Sequence, residues 1–265
     1  MVFDPALAYR KELCTGCGIC SSVCPVSAVR TGTGGKVVSF GSSCIGCGHC
    51  GCYCPSDCFA LEPLDESDKT SPEGLIDSVI RNRRSTRIFL SRPLSEDVLQ
   101  SVLEPVGYAP TGHNDQGIQV LVLTGCENVR KKLVDPLVRI VRILDLFRLV
   151  TLLAGPSREH VRRLRRGEDL ITWGAPCVLF FKAPLRNVTG SADCVIAATM
   201  VSMKAEAMGI GTLWNGVLKI LSPFLGTGRA SAVICLGYPR LKKYHRLPER
   251  TWKKKRLQGL HGSGS

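Results

Sequence analysis

The sequence predicts an α+β protein of two units, in which a small cysteine-rich unit precedes a larger α+β sandwich. A doubled cysteine motif confined to residues 1–62 indicates the small unit. Amphipathic helical stretches that alternate with short apolar runs within residues 73–265 indicate the larger one. Between them, residues 63–72 are polar and rich in turn formers, which predicts a linker.

Length and composition exclude several classes of protein. A chain of 265 residues with 44% apolar residues can bury a substantial core. Its start lacks the basic region and apolar run of a secretory leader. Five charged residues interrupt the most apolar stretch, 133–154, whereas a membrane-spanning helix needs about 20 nearly uncharged residues. We therefore expect a soluble, cytoplasmic protein that has no membrane partner.

Charge is divided unevenly along the chain. Residues 1–70 contain five Lys/Arg and seven Asp/Glu, whereas residues 71–265 contain thirty and fifteen, and the chain carries +13 in total. An acidic unit beside a basic one favours docking of the two, and part of the basic excess is expected to face anionic ligands. The basic run 242–256 includes Tyr244 and Trp252, which would suit nucleic acid, but we interpret it as a solvated, phosphate-facing tail.

Eight of the fourteen cysteines form two copies of one motif. In each copy, two residues lie between the first and second cysteines and two between the second and third. Three residues lie between the third and fourth cysteines, and a proline follows the fourth directly. Such turns place three thiolates around one corner of a [4Fe–4S] cube, and the fourth ligand comes from the other copy. The predicted ligands are Cys14, Cys17, Cys20 and Cys54 for the first cluster, and Cys44, Cys47, Cys50 and Cys24 for the second.

The two copies are offset by 30 residues, which separates ligands from other cysteines. Cys52 aligns with Ser22 and Cys58 with Ala28, so both are interpreted as small packing residues near the clusters. Zinc sites would not need the doubled pattern. The remaining cysteines are isolated, mostly in apolar surroundings, and are predicted to be core thiols: Cys126, Cys177, Cys194 and Cys235.

Elements of the larger unit follow from periodicity and end signals. Ser71 is a candidate N-cap with Pro72 at the first helical position, and further helices are predicted over 95–106 and 192–208. The apolar face of the first helix comprises Leu75, Ile76, Val79 and Ile80. Strands are predicted at 118–123, 177–182 and 232–236.

Two segments of this unit suit an anionic heterocyclic ligand. The first surrounds a hydroxyl with forked guanidinium groups, as a phosphate requires, although a solvated basic helix end is the alternative. It comprises Arg83, Arg84, Ser85 and Arg87. The second offers small and amide side chains for the edge of a heterocycle. It comprises Pro110, Thr111, Gly112, Asn114 and Gln116.

These segments are followed by 173–176, 209–216 and 236–239, which read WGAP, GIGTLWNG and LGYP. In this order the five motifs resemble the nitroreductase family of FMN enzymes over about residues 72–256. The N-terminal unit resembles bacterial-type two-[4Fe–4S] ferredoxins over residues 5–62. As a whole, the chain is similar to the ferredoxin–nitroreductase fusions of anaerobic microorganisms.

The resemblance implies a homodimer with FMN at the subunit interface. The segment with Arg83 would hold the flavin phosphate and ribityl chain, and the segment with Pro110 would approach the flavin of the partner subunit. Arg250 is the best match for a further phosphate contact, with Arg246 as the alternative. The isoalloxazine ring would lie along Leu213, Trp214, Asn215 and Gly216.

The implied activity is reduction of nitroaromatics, nitroheterocycles or quinones, with electrons passing through two [4Fe–4S] clusters to FMN. No side chain is predicted to act as acid or base, because the flavin carries the chemistry. The donor is left open between reduced ferredoxin and NAD(P)H. Two alternatives are an electron-transfer or redox-sensing protein without a small-molecule substrate, and another flavin reaction such as enone reduction or dehalogenation. Residues 135–170 would form either a cap over the active site or a surface helix pair.

Overall fold

The computed structural model describes residues 8–61, 71–146 and 158–243. Most of the predicted linker and the basic tail from residue 244 onwards, including Arg246 and Arg250, lie outside these ranges. Within them, no helix is long and apolar enough to cross a bilayer.

The small unit contains two short helices and one two-stranded antiparallel sheet. Both helices begin directly after a glycine with φ of 72°, Gly18 in the first copy and Gly48 in the second, so the sequence repeat is also a structural repeat. Tyr9, Phe40 and Phe59 pack their rings edge-on or tilted beside the sheet. The elements are α1 (Ile19–Ser22), β1 (Val29–Thr31), β2 (Val37–Phe40) and α2 (His49–Cys52).

The larger unit is built on an antiparallel sheet of four strands. They are β3 (Gln119–Thr124), β4 (Cys177–Lys182), β5 (Gly211–Trp214) and β6 (Ala232–Gly237), in the order β3-β4-β6-β5. Three of them agree with the predicted strands within a residue. Sequence analysis treated β5 only as part of a motif, because its four residues are too short for a periodic signal.

Helices cover both faces of this sheet. They are α3 (Pro72–Asn82), α4 (Glu96–Leu103), α5 (Cys126–Val129), α6 (Asp135–Leu146), α7 (Arg158–Arg165), α8 (Gly190–Ala207) and α9 (Gly216–Leu221). Phe180 and Cys235 point to the face covered by the segment from Val129 to Val138. Leu179 and Ile234 point to the face covered by α8. Because alternate residues of a strand face opposite sides and both sides are covered, β4 is apolar up to Phe181 and β6 is apolar throughout. The predicted α+β sandwich is confirmed.

Helix α3 begins as expected, since the Ser71 hydroxyl accepts a hydrogen bond from the Gly74 amide at 3.0 Å. Within the described residues, however, much of its apolar face is exposed. Leu75, Ile76 and Ile80 are 50%, 58% and 55% exposed.

The basic segment 135–170 contributes two helices that pack on each other. The Arg142 side chain donates to the Arg165 carbonyl at 3.1 Å, which ties α6 to α7. Arg163 pairs with Glu168 at 2.7 Å and also donates to the Ser27 hydroxyl of the small unit at 3.4 Å. Residues 147–157 lie outside the described ranges.

The two units also share a buried apolar contact. Val23, Cys52 and Tyr53 of the small unit are at most 3% exposed, and they pack with Ile88 and Leu241 of the larger one. Charge alone had suggested docking of an acidic unit on a basic one. The structure adds this apolar cluster to the polar contact of Arg163 with Ser27, so burial of hydrophobic surface contributes to holding the units together.

Three of the four isolated cysteines are core thiols as predicted: Cys177, Cys194 and Cys235 are at most 1% exposed. Burial raises the pKa of Cys177 and of Cys235 to about 12, so both stay protonated. The prediction was wrong for Cys126. This residue starts α5 in a half-buried position, and its thiol donates to the Ser91 carbonyl at 3.4 Å.

Candidate functional site

Two cavities in the small unit bring the motif cysteines together. Each has an empty volume of about 320 Å³. The first is lined by Cys14, Cys17, Cys20 and Cys54. The second is lined by Cys24, Cys44, Cys47 and Cys50. Each cavity thus receives three cysteines from one copy of the motif and one from the other, which is the crossed grouping expected from the spacing.

Local backbone geometry explains how the thiols come to surround these spaces. Gly16 has φ of 78°, and a Cβ there would lie 2.2 Å from the Gly34 carbonyl oxygen, so the turn between Cys14 and Cys17 requires glycine. In the second cavity, the Ala28 amide donates to the Cys24 sulfur at 3.1 Å. Amides directed at sulfur stabilise thiolates and the metal clusters that they hold.

Each cavity is lined by four cysteines, which is the set of protein ligands that a [4Fe–4S] cluster takes. Burial raises the pKa of Cys20 to about 11, and burial also raises the pKa of Cys47 and Cys50. These thiols would therefore ionise when iron supplies the compensating charge.

One difference between the two copies of the motif lies beside the second cavity. His49 lines the second cavity and is 6% exposed, whereas the repeat places Ile19 at the corresponding position of the first copy. Neither imidazole nitrogen makes a hydrogen bond of good geometry within the described residues, although backbone groups of Ser85 and Cys47 are near. Burial, and then the charge of Arg87, lower the pKa of His49 to about 3, so the ring is neutral. Sequence analysis missed this residue, although the 30-residue offset could have revealed it.

Arg87 approaches the second cavity from the larger unit. Its charge acts on the thiols of Cys47 and Cys24. Burial lowers the pKa of the guanidinium, and these thiols oppose that change. Its Nη1 atom is buried and makes no hydrogen bond within the described part of the chain. A buried guanidinium nitrogen in this state is suited to an anionic group that is bound nearby.

The segment that carries Arg87 lies directly beside β5. The Thr86 amide donates to the Thr212 carbonyl at 2.8 Å, and Ser85 forms a parallel bridge with Thr212. A Cβ on Gly211 would lie 2.4 Å from the Thr86 hydroxyl oxygen, so glycine is needed for this approach. Two of the three segments predicted to bind flavin, 83–87 and 213–216, are therefore neighbours in one chain.

Side chains at the end of β5 serve the fold as well as the candidate site. Leu213 is buried on the side of the sheet covered by the segment from Val129 to Val138, and Trp214 is partly buried on the side covered by α8. The Asn215 amide group donates to the Ile171 carbonyl at 2.6 Å and accepts from the Leu218 amide at 2.9 Å. At Gly216 there is open space, because no atom lies within 4 Å of an added Cβ. A ligand there would meet backbone more than side chains.

Replacing Asn215 with alanine is expected to destabilise the fold by about 1–3 kcal/mol, because a buried carbonyl and the first turn of α9 lose their partners. Denaturant unfolding measures this change. Asn215→Ser keeps a capping oxygen for the Leu218 amide and is expected to lose less stability. Equal stability of Asn215→Ala and the parent chain would contradict the assignment.

The third predicted segment, 110–116, lies at the start of α8. The Gly112 amide donates to the carboxylate of Asp193, which is 3% exposed, at 3.3 Å. His113, Asn114 and Gln116 are exposed and have φ between 45° and 54°. The segment is thus fixed by α8 while its polar side chains face outwards. Sequence analysis missed Asp193 as the anchor of this loop.

Comparison with known proteins agrees with this arrangement. Residues 80–253 match the sequence profile described as the nitroreductase family, and residues 8–30 match the 4Fe-4S binding domain. A nitrobenzene nitroreductase from Ectopseudomonas oleovorans is 41% identical over 56 residues, which span 21% of this chain and 24% of that protein.

Several solved structures of nitroreductases have the same fold. An FMN-dependent nitroreductase from Clostridium difficile aligns with a TM-score of 0.53 and 16% identity over 69% of this chain and 98% of its own. A nitroreductase with bound FMN from Desulfitobacterium hafniense aligns with a TM-score of 0.50 and 21% identity over 68% and 98%. With its profile match over most of the chain, the protein belongs to the nitroreductase family and carries an N-terminal segment of the 4Fe-4S binding type.

Proposed function

We propose that the protein is an FMN-dependent reductase of nitro compounds or quinones that receives electrons through two [4Fe–4S] clusters. The proposal rests on the position of Arg87, whose charge acts on two cysteines of the second cavity while its segment lies beside β5. A metal centre of one unit and a flavin site of the other would then share a boundary.

Each cavity would hold one cluster, with its four cysteines as ligands. The first would be held by Cys14, Cys17, Cys20 and Cys54, and the second by Cys44, Cys47, Cys50 and Cys24. Protein cysteines ligate such clusters as thiolates, and backbone amides directed at sulfur tune them.

The flavin phosphate and ribityl chain would be held by Arg83, Ser85 and Arg87, with Arg84 close by. Two observations support this placement. The buried Nη1 of Arg87 makes no hydrogen bond within the described residues, and there is open space at Gly216. Bound FMN supplies storage for two electrons and their delivery to an acceptor. The role of these residues is to fix its position and to place positive charge beside it.

A second copy of the chain would complete the site. The apolar face of α3 and the loop 110–116 support a homodimer, because both are largely exposed in the part of the chain that the structure describes. In the dimer, Pro110, Thr111, Gly112, Asn114 and Gln116 would approach the flavin of the partner subunit.

Substrate and donor are proposed from the relatives. One relative is named a nitrobenzene nitroreductase, and the aligned structures are titled FMN-dependent or FMN-bound nitroreductases. Nitroaromatics and quinones are flat acceptors that stack on a flavin ring. Reduced ferredoxin suits the clusters as a one-electron donor, while NAD(P)H would reduce the flavin directly.

The deciding experiment is anaerobic purification followed by acid release of flavin, iron analysis and turnover of nitrobenzene and a benzoquinone. We expect FMN, about eight irons per chain and reduction of at least one acceptor with ferredoxin or NAD(P)H. Clusters and flavin without any turnover would favour an electron-transfer or sensing protein. Turnover of an enone or an aryl halide instead would assign another flavin reaction.

Alanine at Arg83 or Arg87 is expected to weaken FMN binding by roughly ten-fold or more, because each charge-assisted hydrogen bond to phosphate contributes about 1.5–3 kcal/mol. Flavin fluorescence titration of the FMN-depleted protein measures the affinity. Arg81→Ala is the matched control, since Arg81 pairs with Asp77 at 2.6 Å on the exposed side of α3. Unchanged affinity in both Arg83→Ala and Arg87→Ala would place the phosphate elsewhere.

A further inference from the structure

We propose that the second cluster is the one that passes electrons to the flavin, and that Arg87 and His49 increase its affinity for the electron. This inference rests on the proposed function, and it adds an order to the two clusters. Electrons would enter at the first cluster, held by Cys14, Cys17, Cys20 and Cys54, and leave from the second.

The two cavities differ in their position relative to the larger unit. The wall of the second cavity faces the larger unit, because Cys47 and His49 lie beside the 85–87 segment. Ser27, three residues after Cys24, is bonded to Arg163 of the larger unit. The lining of the first cavity has its described contacts within the small unit, such as Tyr9 with Val37 and Thr15 with Ser56.

The 85–87 segment also links the second cavity to the flavin segment. The Arg87 charge acts on the thiols of Cys47 and Cys24, and the amide of its neighbour Thr86 donates to the Thr212 carbonyl at 2.8 Å. Thr212 directly precedes the Leu213–Gly216 segment. Arg87, Thr86 and Thr212 therefore connect the surroundings of the second cavity with the proposed ring site.

The two copies of the motif also differ in the charged and polar side chains that lie nearby. Adding an electron to a cluster adds one negative charge, and a buried cation nearby stabilises that charge. Arg87 is such a cation, and the polar ring of His49 stands where the first copy has Ile19. The second cluster should hence be reduced more easily than the first, which favours flow towards the flavin.

One electron would leave a cluster held by Cys24, Cys44, Cys47 and Cys50 and enter a flavin held by the 83–87 segment, so that the cluster would be oxidised by one electron and the flavin reduced by one. Two such transfers, with protons from water, complete the two-electron reduction of the flavin. The electrons come from a low-potential one-electron carrier through the first cluster.

The test is a redox titration of the holoenzyme followed by electron paramagnetic resonance. Arg87→Gln and His49→Ile are each expected to make reduction of one cluster less favourable, by about ten-fold for Arg87→Gln, which is about 59 mV for one electron. The affected signal should be the one that Cys47→Ser removes and Cys17→Ser keeps. Arg30→Gln, which removes an exposed charge from β1, is the control and should shift neither signal.

Unchanged potentials in Arg87→Gln, or a shift in the signal that Cys17→Ser removes, would overturn the inference. The proposed function is judged separately, from flavin content and acceptor turnover of the parent chain. If the parent chain contains flavin and turns over an acceptor, but Arg87→Gln leaves the potential of the second cluster unchanged, the proposed function stands and the inference is wrong. If the parent chain contains no flavin, both the proposed function and the transfer from the second cluster are wrong, whatever the potentials of the clusters.

Discussion

Replacing Cys24 with serine is expected to damage the second cluster and leave the first intact, although Cys24 belongs to the first copy of the motif. Cys24 lines the second cavity with Cys44, Cys47 and Cys50, so its loss removes one of the four ligands there. Conversely, Cys54→Ser should damage the first cluster. Iron content should fall from about eight towards about four per chain in each variant.

Two other cysteines serve as controls for this prediction. Cys52 packs between Val23 and Tyr53 at the contact of the two units, and Cys58 lines the first cavity as a fifth thiol beside Cys54. Cys52→Ser and Cys58→Ala are both expected to keep full iron. If Cys24→Ser and Cys54→Ser removed the same paramagnetic signal, the crossed ligation would be wrong.

Disabling the second cluster is expected to remove most flavin reduction by ferredoxin, because ferredoxin would then have to reach the flavin itself instead of the first cluster. In the parent chain, a second cluster fixed beside the flavin acts at roughly millimolar effective concentration. Cys44→Ser/Cys47→Ser in the full-length chain tests this by stopped-flow absorbance. Direct reduction of the flavin by NAD(P)H, where it occurs, should be unaffected.

The full-length variant is a better test than removal of the first 70 residues. Deletion should also abolish reduction by one-electron donors, but it uncovers Ile88 and Leu241, which pack against the small unit. Exposed apolar surface of this kind promotes aggregation. Reduction of the flavin by ferredoxin at the parent rate, in a double variant shown to lack the second cluster, would refute the relay.

The sequence by itself determined the division into two units, the doubled cysteine motif and the main strands of the larger unit. These features are local: ligand spacing, a cap such as Ser71 and the apolar runs of β4 and β6 follow from neighbouring residues. The order of short motifs also indicated the nitroreductase family, which the profile match over residues 80–253 shows.

The tertiary structure alone decided how distant residues meet. No periodicity in the sequence places Arg87 against Cys47, shows His49 buried beside Ser85, or joins Val23 and Tyr53 to Ile88. These contacts depend on the packing of one unit on the other, because burial of apolar surface is non-directional and a linear pattern does not record its partner. The fold also turns the amide group of Asn215 inward to Ile171 and the start of α9, which its motif did not indicate, and the place of this residue beside the flavin stays a prediction.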